Sequence, residues 1–336
     1  HKRSKTMGNS NWSDAAYQAR QHHRSTTNQT AFTYDSHVRA SGTVRVHDQM
    51  NPYGVIRESR DSDQHPDSIA IGVIFDVTGS MGTVPRVLQT KLGALLRALI
   101  QKGYVEHPQI LFGAVGDAYC DSVPLQIGQF ESGLEMDDDL GKIYLEGGGG
   151  GQVYETYELA VYFMARHTSI DCYEKRGHKG YLFTIGDEKP YQVVRRQQVA
   201  DLIGDKLGRD IPIEQIVKEA QQRYEYFHVI PTNTSHGQNP EVQARWRELL
   251  GERVLLLDDE AAVCETIALA IGLCEGAIDD LGSGADDLVQ AGYDPSAAAT
   301  AATALTRYAA ARGPLVRVAS GLLPTSMALR VDDGRL

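Results

Sequence analysis

The sequence predicts an α/β fold: a doubly wound, mostly parallel six-stranded sheet with an antiparallel edge strand and helices on both faces. Three observations carry this. Strand-length apolar runs alternate with helical patterns from Ser68 to about Gly276. The runs Ile69 to Phe75 and Tyr181 to Ile185 are almost wholly apolar, as expected of strands covered on both faces. Only a polar turn separates Ile110–Val115 from Val123–Ile127, the pattern of a hairpin at a sheet edge.

Taken in order, residues 1–67 are polar, with few aliphatics and no helical stripe, and are expected to form a largely solvated arm. His22 and His23 lie in its most polar part, beside Ser25 to Gln29. They could bind metal, but a surface pair is the simpler account. Val44, Val46 and Val55 are the arm's candidates for short strands. After the first apolar strand, Leu88, Leu92, Leu95, Leu96 and Leu99 recur at steps of three and four, predicting a helix that ends before Gly103.

The hairpin follows, then the acidic run Asp137-Asp138-Asp139 and a five-glycine loop, Gly147 to Gly151. A second amphipathic helix presents Leu159, Phe163 and Met164 on one face. Beyond the strand Tyr181–Ile185, Pro212 starts a helix carrying Ile213, Ile216, Val217, Ala220 and Tyr224. Phe227–Ile230 and Val254–Leu257 are strands. Between them lies a helix, Glu241–Leu250, with Val242, Trp246 and Leu249 inward and Gly251 at its end. Glu260–Cys274 is an apolar helix. The rest, 277–336, opens as an acidic linker with Asp279, Asp280, Asp286 and Asp287. Asp294-Pro295 then caps an alanine-rich helix to about Arg312, and a tail follows. The expected division is thus an arm (1–67), an α/β domain (68–276) and a C-terminal extension (277–336).

Lys and Arg total 33 against 44 Asp and Glu, a formal charge of −11. That balance is a poor match for nucleic acid or an anionic membrane face and suits cations or a basic partner. No apolar run approaches the roughly 20 residues of a membrane helix, and no signal-peptide core stands near His1. Cys120, Cys172, Cys264 and Cys274 form no CxxC pair and are expected to be reduced thiols, so the protein is expected to be cytoplasmic.

The chemistry concentrates in Asp76-Val77-Thr78-Gly79-Ser80-Met81, directly after the first buried strand. Ligands of open α/β sheets gather at such strand ends. One carboxylate with two hydroxyls is a hard-oxygen set suited to Mg²⁺, Mn²⁺ or Ca²⁺, without the His and Cys that zinc prefers. Asp187 follows Tyr181–Ile185 in the same way and would bring a second carboxylate to the same spot. Asp117, at the end of the second strand, could add an oxygen on that rim. The blander alternative is that Ser80 merely caps the following helix.

Asp76-Val77-Thr78-Gly79-Ser80 resembles the Asp-x-Ser-x-Ser motif of the von Willebrand factor type A family, and Gly186-Asp187 resembles that family's later aspartate. The likeness runs in element order over about Ser68 to Gly276. It implies a Rossmann-like fold with a metal-ion-dependent adhesion site. Thr78 and Ser80 would bind Mg²⁺ (or Mn²⁺ or Ca²⁺) directly, and Asp76 and Asp187 through water. A partner's carboxylate would complete the shell. The family usually supplies a Thr after a Gly-Gly pair in its third loop. Here that loop continues Gly151-Gln152-Val153-Tyr154-Glu155-Thr156, leaving Gln152, Glu155, Thr156 or a water for that place.

The function expected from this is metal-dependent protein–protein interaction without catalysis. The resemblance, to intracellular bacterial members in particular, further implies a partner such as an AAA-type ATPase or an assembly subunit. One alternative is a structural subunit of a multiprotein assembly. Another is a haloacid dehalogenase-like phosphotransferase with Asp76 as nucleophile, prompted by Gly116-Asp117-Ala118-Tyr119-Cys120-Asp121; against it, Thr78 stands where that family has a second Asp.

Overall fold

Six strands pair into one sheet in the computed structural model, which describes residues 10–148, 153–313, 315–318 and 321–324. They are β1 (Ile69–Asp76), β2 (Pro108–Val115), β3 (Leu125–Ile127), β4 (Gly180–Ile185), β5 (Tyr224–Pro231) and β6 (Val254–Leu257). Their order is β6-β5-β4-β1-β2-β3. All neighbours run parallel except β2 and β3. The α/β class, the six-stranded, mostly parallel sheet and the antiparallel edge strand are therefore as the sequence predicts.

β1 is buried on both sides, and its residues alternate between two cores. Ile71, Val73 and Phe75 face one. Ala70 and Ile74 face the other. The helices on the first face include α1 (Asp14–Thr27), α3 (Val84–Gln101), α8 (Val263–Glu275), α9 (Leu281–Gln290) and α10 (Pro295–Arg312). The second face carries α5 (Tyr157–Arg166), α6 (Ile213–Arg223) and α7 (Pro240–Leu250). Of two shorter helices, α4 (Glu135–Gly141) packs on β2 and α3, and α2 (Thr33–Ser41) packs on α4. Register brings three carboxyl ends level: Asp76 stands beside Val115, and Phe75 beside Ile185.

Several expectations need correction. The arm is helical from Asp14 and is fastened to the body. Ser13 caps α1, accepting from Ala16 N at 3.3 Å. Tyr17 is buried and packs so closely on α3 that a Cβ at Gly93 would come within 2.8 Å of its ring. Arg24 donates to both carboxylate oxygens of buried Asp137, at 2.9 and 2.6 Å, and Arg20 joins them. One aromatic and a buried ion-pair cluster make this contact, and neither leaves a hydrophobic period in the sequence. Val44, Val46 and Val55 lie outside strands. The arm's strand is Arg57–Ser59, paired parallel with Thr168–Ile170. α5 is not amphipathic: every residue from Tyr157 to Ala165 is buried, because it lies between the sheet and α6. Tyr224 begins β5 rather than ending α6.

The expected acidic linker is α9. Asp280 caps it, accepting from Gly282 N at 2.8 Å and Ser283 N at 2.9 Å. Gly284 sits against Leu269 and Ile278, where a Cβ would meet carbon at 2.8 and 2.6 Å. The alanine-rich helix forms as predicted and buries Ala297, Ala298, Ala301, Leu305 and Tyr308. Leu315–Val318 pairs antiparallel with Gly321–Pro324; the tail beyond Pro324 lies outside the described residues. All four cysteines are free. Among the described residues no helix is long and apolar enough to cross a membrane.

Candidate metal centre

β1 ends in Asp76, and there the backbone turns. Asp76 Oδ1 accepts from both Thr78 N and Thr78 Oγ1, each at 2.7 Å, which folds the loop back on its own carboxylate. Gly147 and Gly148 lie over this loop: Gly79 N donates to Gly148 O at 2.7 Å, and Gly147 N to Val77 O at 3.2 Å. Gly147 needs its glycine, since its φ is +68°.

Two glutamates complete the cluster. Glu155 precedes α5 and is held by a two-residue parallel pairing of Tyr154 and Glu155 with Lys189 and Pro190. Glu188 follows Asp187 in the turn after β4, and its carbonyl accepts from Trp246 Nε1 at 2.8 Å. One carboxylate oxygen from each of Asp76, Glu155 and Glu188 lies within 4.8 Å of the others, and all three residues are buried. Tyr157 OH, 3.5 Å from Asp76 Oδ2, donates from below.

The residues singled out from sequence are distributed unevenly around this point. Asp76 is in the cluster, Thr78 is bound to it, and Glu155 supplies the third-loop oxygen. Asp187 is buried beside it, its Oδ2 accepting from His236 N at 2.8 Å, but is not one of the three converging carboxylates. Asp117 is turned to its own loop. Its Oδ1 accepts from Tyr119 N at 3.0 Å, and both oxygens lie 3.1 Å from the Tyr191 hydroxyl. Thr156 donates its hydroxyl to Gly116 O. Ser80 lies in the short 3₁₀ turn Gly79–Met81; its side chain, like the whole of Gln152, is outside the described residues. Glu188 was missed. The available signal was its adjacency to Asp187, which showed the loop but not which of two acidic neighbours turns inward.

The donor chemistry fits a hard divalent cation. Three carboxylates share one buried spot, and Glu155 Oε2 and Glu188 Oε2 are buried without a hydrogen-bond partner. A buried anionic oxygen left unpaired is costly, and a cation would satisfy several at once. Burial, chiefly, pushes Asp76 up to about 7, with Asp187 and Asp121 adding to it against the two Thr78 hydrogen bonds. Burial and the Asp76 charge push Glu188 up to about 8. Burial, Asp76 and Glu188 raise Glu155 as well.

These shifts set a pH dependence. A raised carboxyl keeps its proton in the folded chain where the unfolded chain has lost it. Its stabilising contribution is therefore full below pH ~4 and is lost as pH rises through about 7 to 8. In EDTA, the stability lost between pH 5 and pH 8 should be smaller in Glu188→Gln than in the wild type. Urea midpoints at the two pH values measure this, and an equal loss in both chains would contradict it.

No family model and no curated sequence matches the chain. Solved structures resemble it distantly. Two crystal structures of the pilus adhesin SpaC from Lactobacillus rhamnosus GG, one in an open conformation, align with TM-scores of 0.41 at 10% and 11% identity. Each alignment covers 66% of this chain but only 32% and 31% of the adhesin. Proximal thread matrix protein 1 from the mussel byssus aligns with a TM-score of 0.39 at 9% identity, over 64% of this chain and 50% of that protein. The chain thus spans about a third of the adhesin's length and half of the thread protein's. Similarity at this level carries no site residue and no activity across.

Proposed function

We propose that the chain is a metal-dependent protein-interaction module of the von Willebrand factor A kind, doubly wound and not an enzyme. Asp76, Glu155 and Glu188 would hold Mg²⁺, Mn²⁺ or Ca²⁺, with Thr78, Ser80 and Asp187 close by. The observation that carries this is the convergence of three buried carboxylates from three separate strand or loop ends, two with unpaired oxygens. Bound there, the ion would supply a positive point able to accept an oxygen ligand from outside, such as an acidic side chain of a partner. By the sequence resemblance, an AAA-type ATPase or another assembly subunit is the partner class proposed.

The protein's own residues do the positioning. Thr78 fixes the Asp76 rotamer through two hydrogen bonds, and Trp246 fixes the Glu188 backbone. The phosphotransferase alternative has less behind it, since Thr78 stands where that family has its second Asp. The test is Mn²⁺ titration followed by electron paramagnetic resonance, with Asp76→Asn and Glu188→Gln beside the wild type. Binding of one Mn²⁺, displaced by Mg²⁺ and weakened in both variants, is expected. Wild-type protein that leaves Mn²⁺ free in solution would end the proposal.

A further inference from the structure

We propose a second metal site, remote from the Asp76 cluster, in which the Nδ1 atoms of His65 and His107 bind a transition ion such as Zn²⁺. These two atoms face each other at 3.4 Å. Two imidazole nitrogens on a tetrahedral zinc, each about 2.0–2.1 Å from the ion, stand about 3.3–3.4 Å apart. The rings meet nearly edge to face, with centroids 5.4 Å apart and planes at 73°, so neither ring lies stacked over the other.

The tautomer suits a ligand. His65 Nε2 lies 3.0 Å from the carbonyl oxygen of Ser10, which can only accept. The neutral ring therefore carries its proton on Nε2 and its lone pair on Nδ1. A ring N–H held by a backbone carbonyl on the side away from the ion is the usual outer-shell support of a metal-bound histidine.

Both residues are fixed by backbone. His65 and Ser62 exchange hydrogen bonds, Ser62 N to His65 O at 3.0 Å and His65 N to Ser62 O at 3.1 Å. His107 O accepts from Ile69 N at 2.9 Å, at the point where β2 begins. That is the amino end of the strands, opposite to the edge bearing Asp76. A cavity of about 380 Å³ borders both rings and has Gln64 and Glu106 in its wall, which leaves room for water or a side-chain oxygen to complete four ligands. Nitrogen donors select zinc, copper or nickel over magnesium, so the two sites would sort their ions by chemistry. An ion here would tie two segments together, the turn 62–65 and the start of β2, with Ser10 held to the first through the His65 ring. The two histidines stand 42 positions apart, a spacing that no short motif marks.

The rival is a direct hydrogen bond in which His107 Nδ1–H donates to His65 Nδ1. Co²⁺ titration of the full EDTA-stripped chain in millimolar Mg²⁺, followed by visible absorption, separates the two. One equivalent should bind, and Asp76→Asn and a His22→Ala/His23→Ala variant should bind equally well. His107→Gln, which keeps a side-chain donor, should weaken binding at least about tenfold. Should His107→Gln fail to fold, ¹⁵N histidine spectra of the wild type decide instead: Zn²⁺ should shift the Nδ1 signals of two rings. Absence of one-equivalent binding, binding indifferent to His107→Gln, or histidine signals unmoved by Zn²⁺ would each overturn the site.

Discussion

Mg²⁺ at about a hundredfold its dissociation constant should raise the unfolding free energy of the wild-type chain by about 2.7 kcal/mol and that of Asp76→Asn by clearly less. The ion would be held by residues that only the fold brings together: Asp76 from β1, Glu155 from before α5 and Glu188 from after β4. The unfolded chain has no such site, so binding appears in full as stability. Asparagine keeps an oxygen that can accept from Thr78 N and Oγ1, so the loop should hold its shape. What it removes is one negative charge from a buried group of like charges, which costs stability whenever no cation is present. In EDTA at neutral pH the variant should therefore be at least as stable as the wild type. Urea unfolding of both chains, with Mg²⁺ and with EDTA, measures all four quantities. Equal stabilisation of both chains by Mg²⁺ would mean that the ion binds elsewhere.

Gly186→Ala should cost about 3 kcal/mol, with no ion needed to see the effect. A Cβ at Gly186 would lie 1.8 Å from the Tyr157 hydroxyl oxygen, 2.8 Å from its Cζ and 3.1 Å from the Asp76 Cβ. Tyr157 cannot swing clear. It is fully buried, with His228 and Trp246 edge-on at 5.5 and 5.3 Å between ring centres. Tyr157→Phe removes the worst of the clash, so the double variant should recover part of the loss, a non-additivity expected of touching residues. Thermal or urea unfolding of the two single variants and the double supplies the cycle. A Gly186→Ala chain as stable as the wild type would refute the close approach of Tyr157 to the strand end.

Burial of a whole segment is what the sequence displays best. β1 and β4 are legible because strands covered on both faces must be apolar throughout, and the acidic residues that end them stand out by contrast. The α10 helix is legible because Asp294 and Pro295 mark its start chemically. Side-chain direction in a turn is another matter. Asp187 and Glu188 are adjacent acids, and which one faces Asp76 depends on how the chain leaves β4, which no pattern encodes. Glu155 stayed one choice among several because a run of five glycines leaves the alignment of the residues after it open. α1 was invisible for a related reason: its attachment rests on Tyr17 and on Arg20 and Arg24 with Asp137, partners more than a hundred positions away in the case of the arginines.

The pairing of Arg57–Ser59 with Thr168–Ile170 bears on how this chain is made. Thr168 is synthesised 111 residues after Arg57 (168 − 57), and at about 5–20 residues per second the earlier strand waits roughly 6 to 22 seconds for its partner to be added. For the first 70 of those residues Arg57 also lacks Ile127, whose carbonyl it binds at 2.8 Å. During synthesis this pairing can therefore form only once Ile170 has been added. β4, β5 and β6 come later still in the chain, so the partner of Arg57–Ser59 is made before the sheet itself can be completed.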